Sequence, residues 1–238
     1  RYAEQRPDGS RYTYLYNDAG YVTAIQDELG YVSKFSYDKQ GNMVKGVDPL
    51  GNTLTMTYDA NGNMTKVTRP NKTFTDIEYD AEGRILKLSN VRENGNIISD
   101  FTYAYDKSGY IIEETARQDG ETVQASYTYD GRGQLTGTYE VHPEYTLKIE
   151  YTYDNAGNRI TEKVSKTQWG STTVVTDLTN TYDNNNRLIK QTNIANWWSR
   201  SITYQYDENG NMIRKAPPNN SFTTYEYDSE NRLTAVHD

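Results

Sequence analysis

Cysteine is absent from all 238 residues, and histidine occurs only at His142 and His237. Thiol catalysis and cysteine-ligated metal are thereby excluded, and no disulfide can staple the fold. Proline is scarce at 6 residues, phenylalanine at 4 and tryptophan at 3, and hydrophobic residues of every kind make up only 34%, too few for a deep core. No apolar run approaches the roughly 20 residues of a membrane-spanning helix, and no signal-peptide pattern opens the chain. A net charge of −8 with scattered lysine and arginine disfavours nucleic acid as a partner. The Gly-x-Ser-x-Gly, His-Glu-x-x-His and phosphate-loop patterns are missing as well. These absences rank an enzyme reading behind a scaffold or a binding module.

Tyrosine, by contrast, occurs 23 times. Much of it falls in one recurring dipeptide: Tyr37-Asp38, Tyr58-Asp59, Tyr79-Asp80, Tyr105-Asp106, Tyr129-Asp130, Tyr153-Asp154, Tyr182-Asp183, Tyr206-Asp207 and Tyr227-Asp228, with Tyr16-Asn17 as a variant. Successive spacings are 21, 21, 21, 26, 24, 24, 29, 24 and 21 residues. A period in this range marks a repeat architecture, in which each unit buries its apolar face only against its neighbours.

Before each Tyr-Asp the side chains alternate. Leu54, Met56 and Tyr58 share one face of an extended segment while Thr55 and Thr57 share the other, and Phe101/Tyr103/Tyr105 and Ile149/Tyr151/Tyr153 repeat the layout. Period-two alternation of tyrosine, threonine and aliphatic residues predicts antiparallel strands with one apolar and one polar face. Three residues after the Asp position stands Gly20, Gly41, Gly62, Gly83, Gly109, Gly133, Gly157 or Gly210, replaced by Asn186 and Asn231 in two repeats. Asp opens a type I turn by accepting backbone N–H groups ahead of it, and Gly or Asn closes it in the left-handed region. Two residues further on an apolar side chain recurs, except at Arg159, which predicts a local register change there. A second set of turns follows each return strand, as at Glu28-Leu29-Gly30, Pro49-Leu50-Gly51 and Asp119-Gly120. The expectation is an all-β meander of roughly twenty strands, with residues 1–238 a single array of about ten repeats cut at both ends from a longer protein.

Chemistry is sparse in this pattern. Asp59-Ala60-Asn61-Gly62-Asn63 has the look of a calcium-loop opening, but its glycine is at the fourth position instead of the sixth. Equivalent acidic turns single out no catalytic pair, so neither metal nor cofactor is expected, and His142 is read as part of a solvated turn. One asymmetry stands out: consecutive second-set turns carry Tyr145, then Trp169, then Trp197 and Trp198. Alternate turns of a meander share a rim, so these aromatics would gather at one edge, packing against neighbours or offering a sugar a stacking platform.

The recurring Tyr-x-Tyr-Asp-x-x-Gly followed by Asn, Tyr or Arg resembles the signature of the YD-repeat, or Rhs-repeat, family over essentially the whole chain. The resemblance implies hairpins spiralling into a curved, hollow β-shell, as in bacterial polymorphic toxins, wall-associated proteins, insecticidal toxin complexes and the animal teneurins. It further implies a non-catalytic scaffold, flanking repeats as partners, an enclosed toxin domain in the toxin branch, and an extracellular or cell-surface location in a bacterium. An adhesion or carbohydrate-binding module is the alternative. Twenty strands at about 4.8 Å span on the order of 95 Å and close into a ring roughly 30 Å across. That is hardly wider than a 100-residue domain with a radius of gyration near 13 Å. Alone, such a segment is a wall panel.

Overall fold

In the computed structural model, residues 2–5, 9–195, 200–218 and 221–238 are described. They form twenty-one strands and no α-helix. Two compact units are distinguished, residues 1–104 with 114–122, and residues 105–113 with 123–238.

The first unit holds β1 (Tyr2–Gln5), β2 (Arg11–Tyr16), β3 (Val22–Gln26), β4 (Val32–Tyr37), β5 (Met43–Val47), β6 (Thr53–Tyr58), β7 (Met64–Thr68), β8 (Phe74–Tyr79) and β9 (Ile85–Val91). Next come β10 (Ile97–Tyr105), β11 (Ile111–Gln118) and β12 (Glu121–Tyr129), each contributing residues to both units. The second unit continues with β13 (Leu135–Val141), β14 (Thr146–Tyr153), β15 (Arg159–Gln168), β16 (Ser171–Tyr182), β17 (Leu188–Asn193), β18 (Arg200–Tyr206), β19 (Met212–Ala216), β20 (Thr223–Tyr227) and β21 (Leu233–His237). From β1 to β10, and again from β12 to β21, each strand pairs antiparallel with the next in sequence. The predicted meander is what forms.

The repeat register is uniform. Tyr58 pairs with Met64 but Thr57 with Lys66, so Thr65 is an extra residue in the return strand. The same break follows Tyr16, Tyr37, Tyr79, Tyr129, Tyr153, Tyr182, Tyr206 and Tyr227. The register change expected at Arg159 does not occur, because Tyr153 pairs with Arg159 through this same break. The Arg159 guanidinium lies 5.2 Å from the Tyr151 ring centre and 3.0 Å from Glu162. An arginine stem lying along an apolar surface can stand where leucine or methionine stands elsewhere.

Burial is shallow, as the composition implies. Among the described residues only Ala24, Met56 and Val91 are buried hydrophobics, and no large side chain is wholly enclosed. The apolar layer is one side chain thick, so stability must come from many small lateral contacts. In the first unit part of that layer is polar. Arg69 Nη2 donates to Thr75 Oγ1 (2.9 Å), Thr75 Oγ1 donates to Asn90 Oδ1 (2.7 Å), and Asn90 Nδ2 donates to Ser99 Oγ (3.0 Å). The other face carries threonine pairs, Thr57–Thr65 at 3.0 Å and Thr152–Thr161 at 2.6 Å.

Candidate functional site

The Tyr-Asp turns are the most repeated chemistry in the molecule. In the turn after β6, Gly62 N–H donates to the Asp59 carbonyl (3.2 Å) and Asp59 N–H to the Asn63 carbonyl (2.9 Å). Asp59 Oδ1 accepts from the N–H groups of Asn61 and Asn63, both at 2.9 Å, and Asn63 Nδ2 donates to Oδ2 at 2.9 Å. Gly62 has φ 87°, the left-handed conformation that closes a type I turn with a bulge. Asn186 and Asn231, at φ 61°, do the same without glycine. Asn63 therefore holds the Asp59 carboxyl below the ordinary carboxylate range, first through its amide and then through its backbone N–H. Asn158 lowers Asp154 in the same order, and the amide of Asn211 is the largest influence lowering Asp207. At Asp183 the Arg187 N–H leads, and its guanidinium adds a 2.7 Å ion pair.

The hydroxyls of the repeat tyrosines are committed too. Tyr37 donates to the Val22 carbonyl (2.8 Å), Tyr58 to Met43 (2.9 Å) and Tyr79 to Met64 (2.9 Å). Tyr129 reaches Ile111 (2.8 Å), Tyr153 reaches Leu135 (2.8 Å) and Tyr206 reaches Leu188 (2.9 Å). In each case the acceptor is the residue that begins the preceding return strand, and at Val22, Met43, Met64, Leu135 and Leu188 the register breaks there. Acceptors lie 15 residues back in the short repeats and 18 in these longer ones, where longer strands, as in β13 and β14, take up added residues and leave the contact intact. Burial pushes the Tyr79 and Tyr129 phenols up, and the carboxylates of Asp59 and Asp106 add to it.

The residue after the turn glycine then couples one turn to the next. Tyr21 stacks on Tyr37 (5.0 Å between ring centres), its hydroxyl covering Gly41, and Tyr110 stacks on Tyr129 (4.8 Å), covering Gly133. Asn158 Nδ2 donates to Asn186 Oδ1 (2.8 Å), and Arg187 Nη1 to the Asp207 carbonyl (3.1 Å). Sequence reasoning missed this coupling, though its signal is visible as Tyr, Asn, Gln or Arg after every turn glycine or asparagine.

The aromatic second-set turns are more varied. Tyr145, in the β13–β14 connection, stacks on His142 (4.3 Å) and carries Lys166 Nζ 4.2 Å above its ring. His142 is accordingly not a solvated turn residue; it is half-buried, with Nε2 3.0 Å from Glu140 Oε2. Trp169 sits at the tip of the β15–β16 hairpin, 92% exposed. With φ values of 50° and 75°, Trp169 and Gly170 form the two-residue turn in which asparagine normally precedes glycine. Trp197 and Trp198 lie outside the described residues. Among the described residues no cluster of three His, Cys, Asp or Glu side chains could hold a metal ion.

The family model described as Teneurin YD-shell matches residues 10–170. The chain belongs to the YD-shell family. A second model, RHS Repeat, matches residues 206–238. No curated protein sequence matches the chain. Among solved structures, a chain of the Photorhabdus luminescens Tc holotoxin pore bearing a TccC3 mutation is similar at 17% identity and TM-score 0.56, covering 92% of this chain and 14% of that one. A chain of the TcdB2-TccC3-Cdc42 crystal structure is similar at 15% identity and TM-score 0.55, covering 94% and 14%. TcdB2-TccC3 without its hypervariable C-terminal region gives 16% identity and TM-score 0.54, again covering 94% and 14%. At these identities the likeness is one of fold, and this YD-shell chain spans about 14% of the length of those solved relatives.

Proposed function

We propose that the chain is a non-catalytic wall segment of a hollow YD shell that isolates an enclosed polypeptide, a toxin domain in the full-length protein, made by a bacterium and acting outside the cell. One observation carries this reading: each of the Tyr–carbonyl staples described above joins a repeat to its predecessor regardless of insertions between them. A continuous wall needs such indifference, whereas an active site needs one repeat to differ. The turn carboxylates and the stapling phenols are spent on backbone groups, which leaves them no part in catalysis. The names of the similar solved structures, a Tc holotoxin pore and TcdB2-TccC3, supply the toxin context.

Limited proteolysis of the full-length protein tests the reading. The enclosed polypeptide should stay intact in native buffer and be digested once urea opens the shell. Equal digestion under both conditions refutes enclosure.

A second reading, adhesion through a sugar-stacking rim, is favoured by Trp169, an exposed indole in a turn that prefers asparagine. Glycan-array binding abolished by Trp169→Ala, or by Trp197→Ala with Trp198→Ala, would support it. Binding indifferent to all three, or none at all, would end it.

A further inference from the structure

Five residues after the turn glycine, the repeats of the first unit place a side chain on the tyrosine face: Ile25, Val67 and Leu88. In the remaining repeat the position is Gly46, flanked across the ladder by Phe35 on β4 and Leu54 on β6. The backbone does not demand glycine there, since Gly46 is not among the residues with positive φ. Packing does not demand it either: a Cβ at Gly46 would meet only Phe35 Cδ1, at 3.9 Å, an ordinary contact. The missing side chain opens a groove of about 610 Å³ with a mostly apolar lining, within the range typical of ligand pockets.

One end of the groove is cationic. Arg69 gives one guanidinium nitrogen to Thr75 Oγ1, and among the described residues no carboxylate pairs with it. A carboxylate, Asp48, lines the same groove but forms no ion pair with Arg69. Its Oδ1 accepts from the N–H groups of Leu50 (2.9 Å) and Asn52 (2.8 Å), and its Oδ2 accepts from Asn52 Nδ2 (2.8 Å). Asn52 and Ser33 supply further polar groups at the rim.

We propose that this groove binds a short extended peptide segment presenting an aromatic side chain beside a carboxylate. The ring fills the space left at Gly46 between Phe35 and Leu54, where an aromatic partner gains edge or offset contact as well as burial. The carboxylate pairs with Arg69, whose planar fork suits it. The site stands whether or not the shell encloses cargo.

The test is amide NMR of the whole chain titrated with the acetylated, amidated tripeptides Glu-Phe-Glu, Lys-Phe-Lys and Glu-Ala-Glu. Saturable shifts at Gly46, Asn52 and Leu54 are expected with Glu-Phe-Glu, with affinity at least about tenfold weaker for the other two, the size of one lost contact of about 1.4 kcal/mol. Gly46→Val should weaken Glu-Phe-Glu at least tenfold while distant amides stay unmoved. Arg69→Gln, at an exposed turn position, should bring Glu-Phe-Glu and Lys-Phe-Lys within about twofold of each other, and it decides the matter alone if valine disturbs the sheet. No saturable shift with Glu-Phe-Glu, equal binding of Glu-Ala-Glu, or an acid preference that survives Arg69→Gln would overturn the proposal.

Discussion

Replacing Tyr58 by phenylalanine removes one oxygen and nothing else, which isolates the staple to the Met43 carbonyl (2.9 Å) from the packing of the ring. A hydrogen bond of this kind contributes about 0.5–1.5 kcal/mol net, and an acceptor left buried without a partner costs about 1–3 kcal/mol. The bond is only part-buried, so water can reach the orphaned carbonyl and the lower figure applies. The expected loss is about 1 kcal/mol, which at a urea m-value near 3 kcal/mol/M lowers the midpoint by roughly 0.3 M. Tyr139→Phe is the control, because Tyr139 is 46% exposed and its hydroxyl has no hydrogen-bond partner among the described residues. That variant should shift the midpoint by no more than about 0.1 M. Combining Tyr37→Phe, Tyr58→Phe and Tyr79→Phe should approach the sum, about 1 M, since each staple closes on a different carbonyl. Amide exchange would show whether β5–β7 open together or the whole unit does, as repeat arrays need not unfold in one step. If Tyr58→Phe matches its control, the staples do not hold the repeats together, and cohesion must come from ring packing and the backbone ladder alone.

Gly62→Val should destabilise clearly, by about 1–2 kcal/mol from the left-handed strain, whereas Gly62→Asn should be mild, checked by thermal melts. Gly41→Asn should cost more than Gly62→Asn, because Tyr21 covers Gly41 whereas a Cβ at Gly62 meets nothing within 4 Å. Trp169→Asn should be neutral or stabilising by up to about 1 kcal/mol, since asparagine suits that turn, and a clear loss of stability would show that the indole packs on something. Acid titration followed by circular dichroism should show stability falling below about pH 4. Asp59, Asp154 and Asp207 have folded pKa values below their unfolded ones, so their contribution is present above the unfolded value and is lost as pH drops through the folded one. At the alkaline end the sign reverses. The raised phenols of Tyr79, Tyr129 and Tyr206 stabilise below about pH 10 and lose that contribution as pH climbs through their folded values, where the staples also lose their protons.

Strands, turns and faces were legible because each rests on local rules: alternation, an Asp that accepts ahead of itself, and a residue able to enter the left-handed region. What links one repeat to another was not. The hydroxyl of Tyr58 finds Met43 only because the register break presents that carbonyl, and a break is a property of paired strands, invisible in either alone. Arg159 misled for the same reason: its polarity suggested a slip, but pairing with Tyr153 is a matter of backbone, and the side chain adjusts around it. Thr75, Asn90 and Ser99 fall in the apolar phase of their strands, a departure that was open to reading, yet only the register brings them into one hydrogen-bonded row.

Repetition also decides where function can reside. A group that recurs from repeat to repeat and bonds to the backbone each time, like the aspartates and tyrosines, has its role already assigned by the fold. Chemistry specific to this chain must then lie where one repeat departs from the rest without the fold requiring it. Gly46 is such a departure, since its backbone and surroundings would accept a side chain. Trp169 is another, since its turn would favour a smaller residue. Arg69 lies beside Gly46 as a cation with no carboxylate partner among the described residues. Gly46 and Arg69 line one groove, whereas Trp169 stands on a hairpin tip, so the two proposals can be tested independently. A binding activity lost with Gly46→Val but kept with Trp169→Asn would assign it to the groove, and the reverse would assign it to the rim.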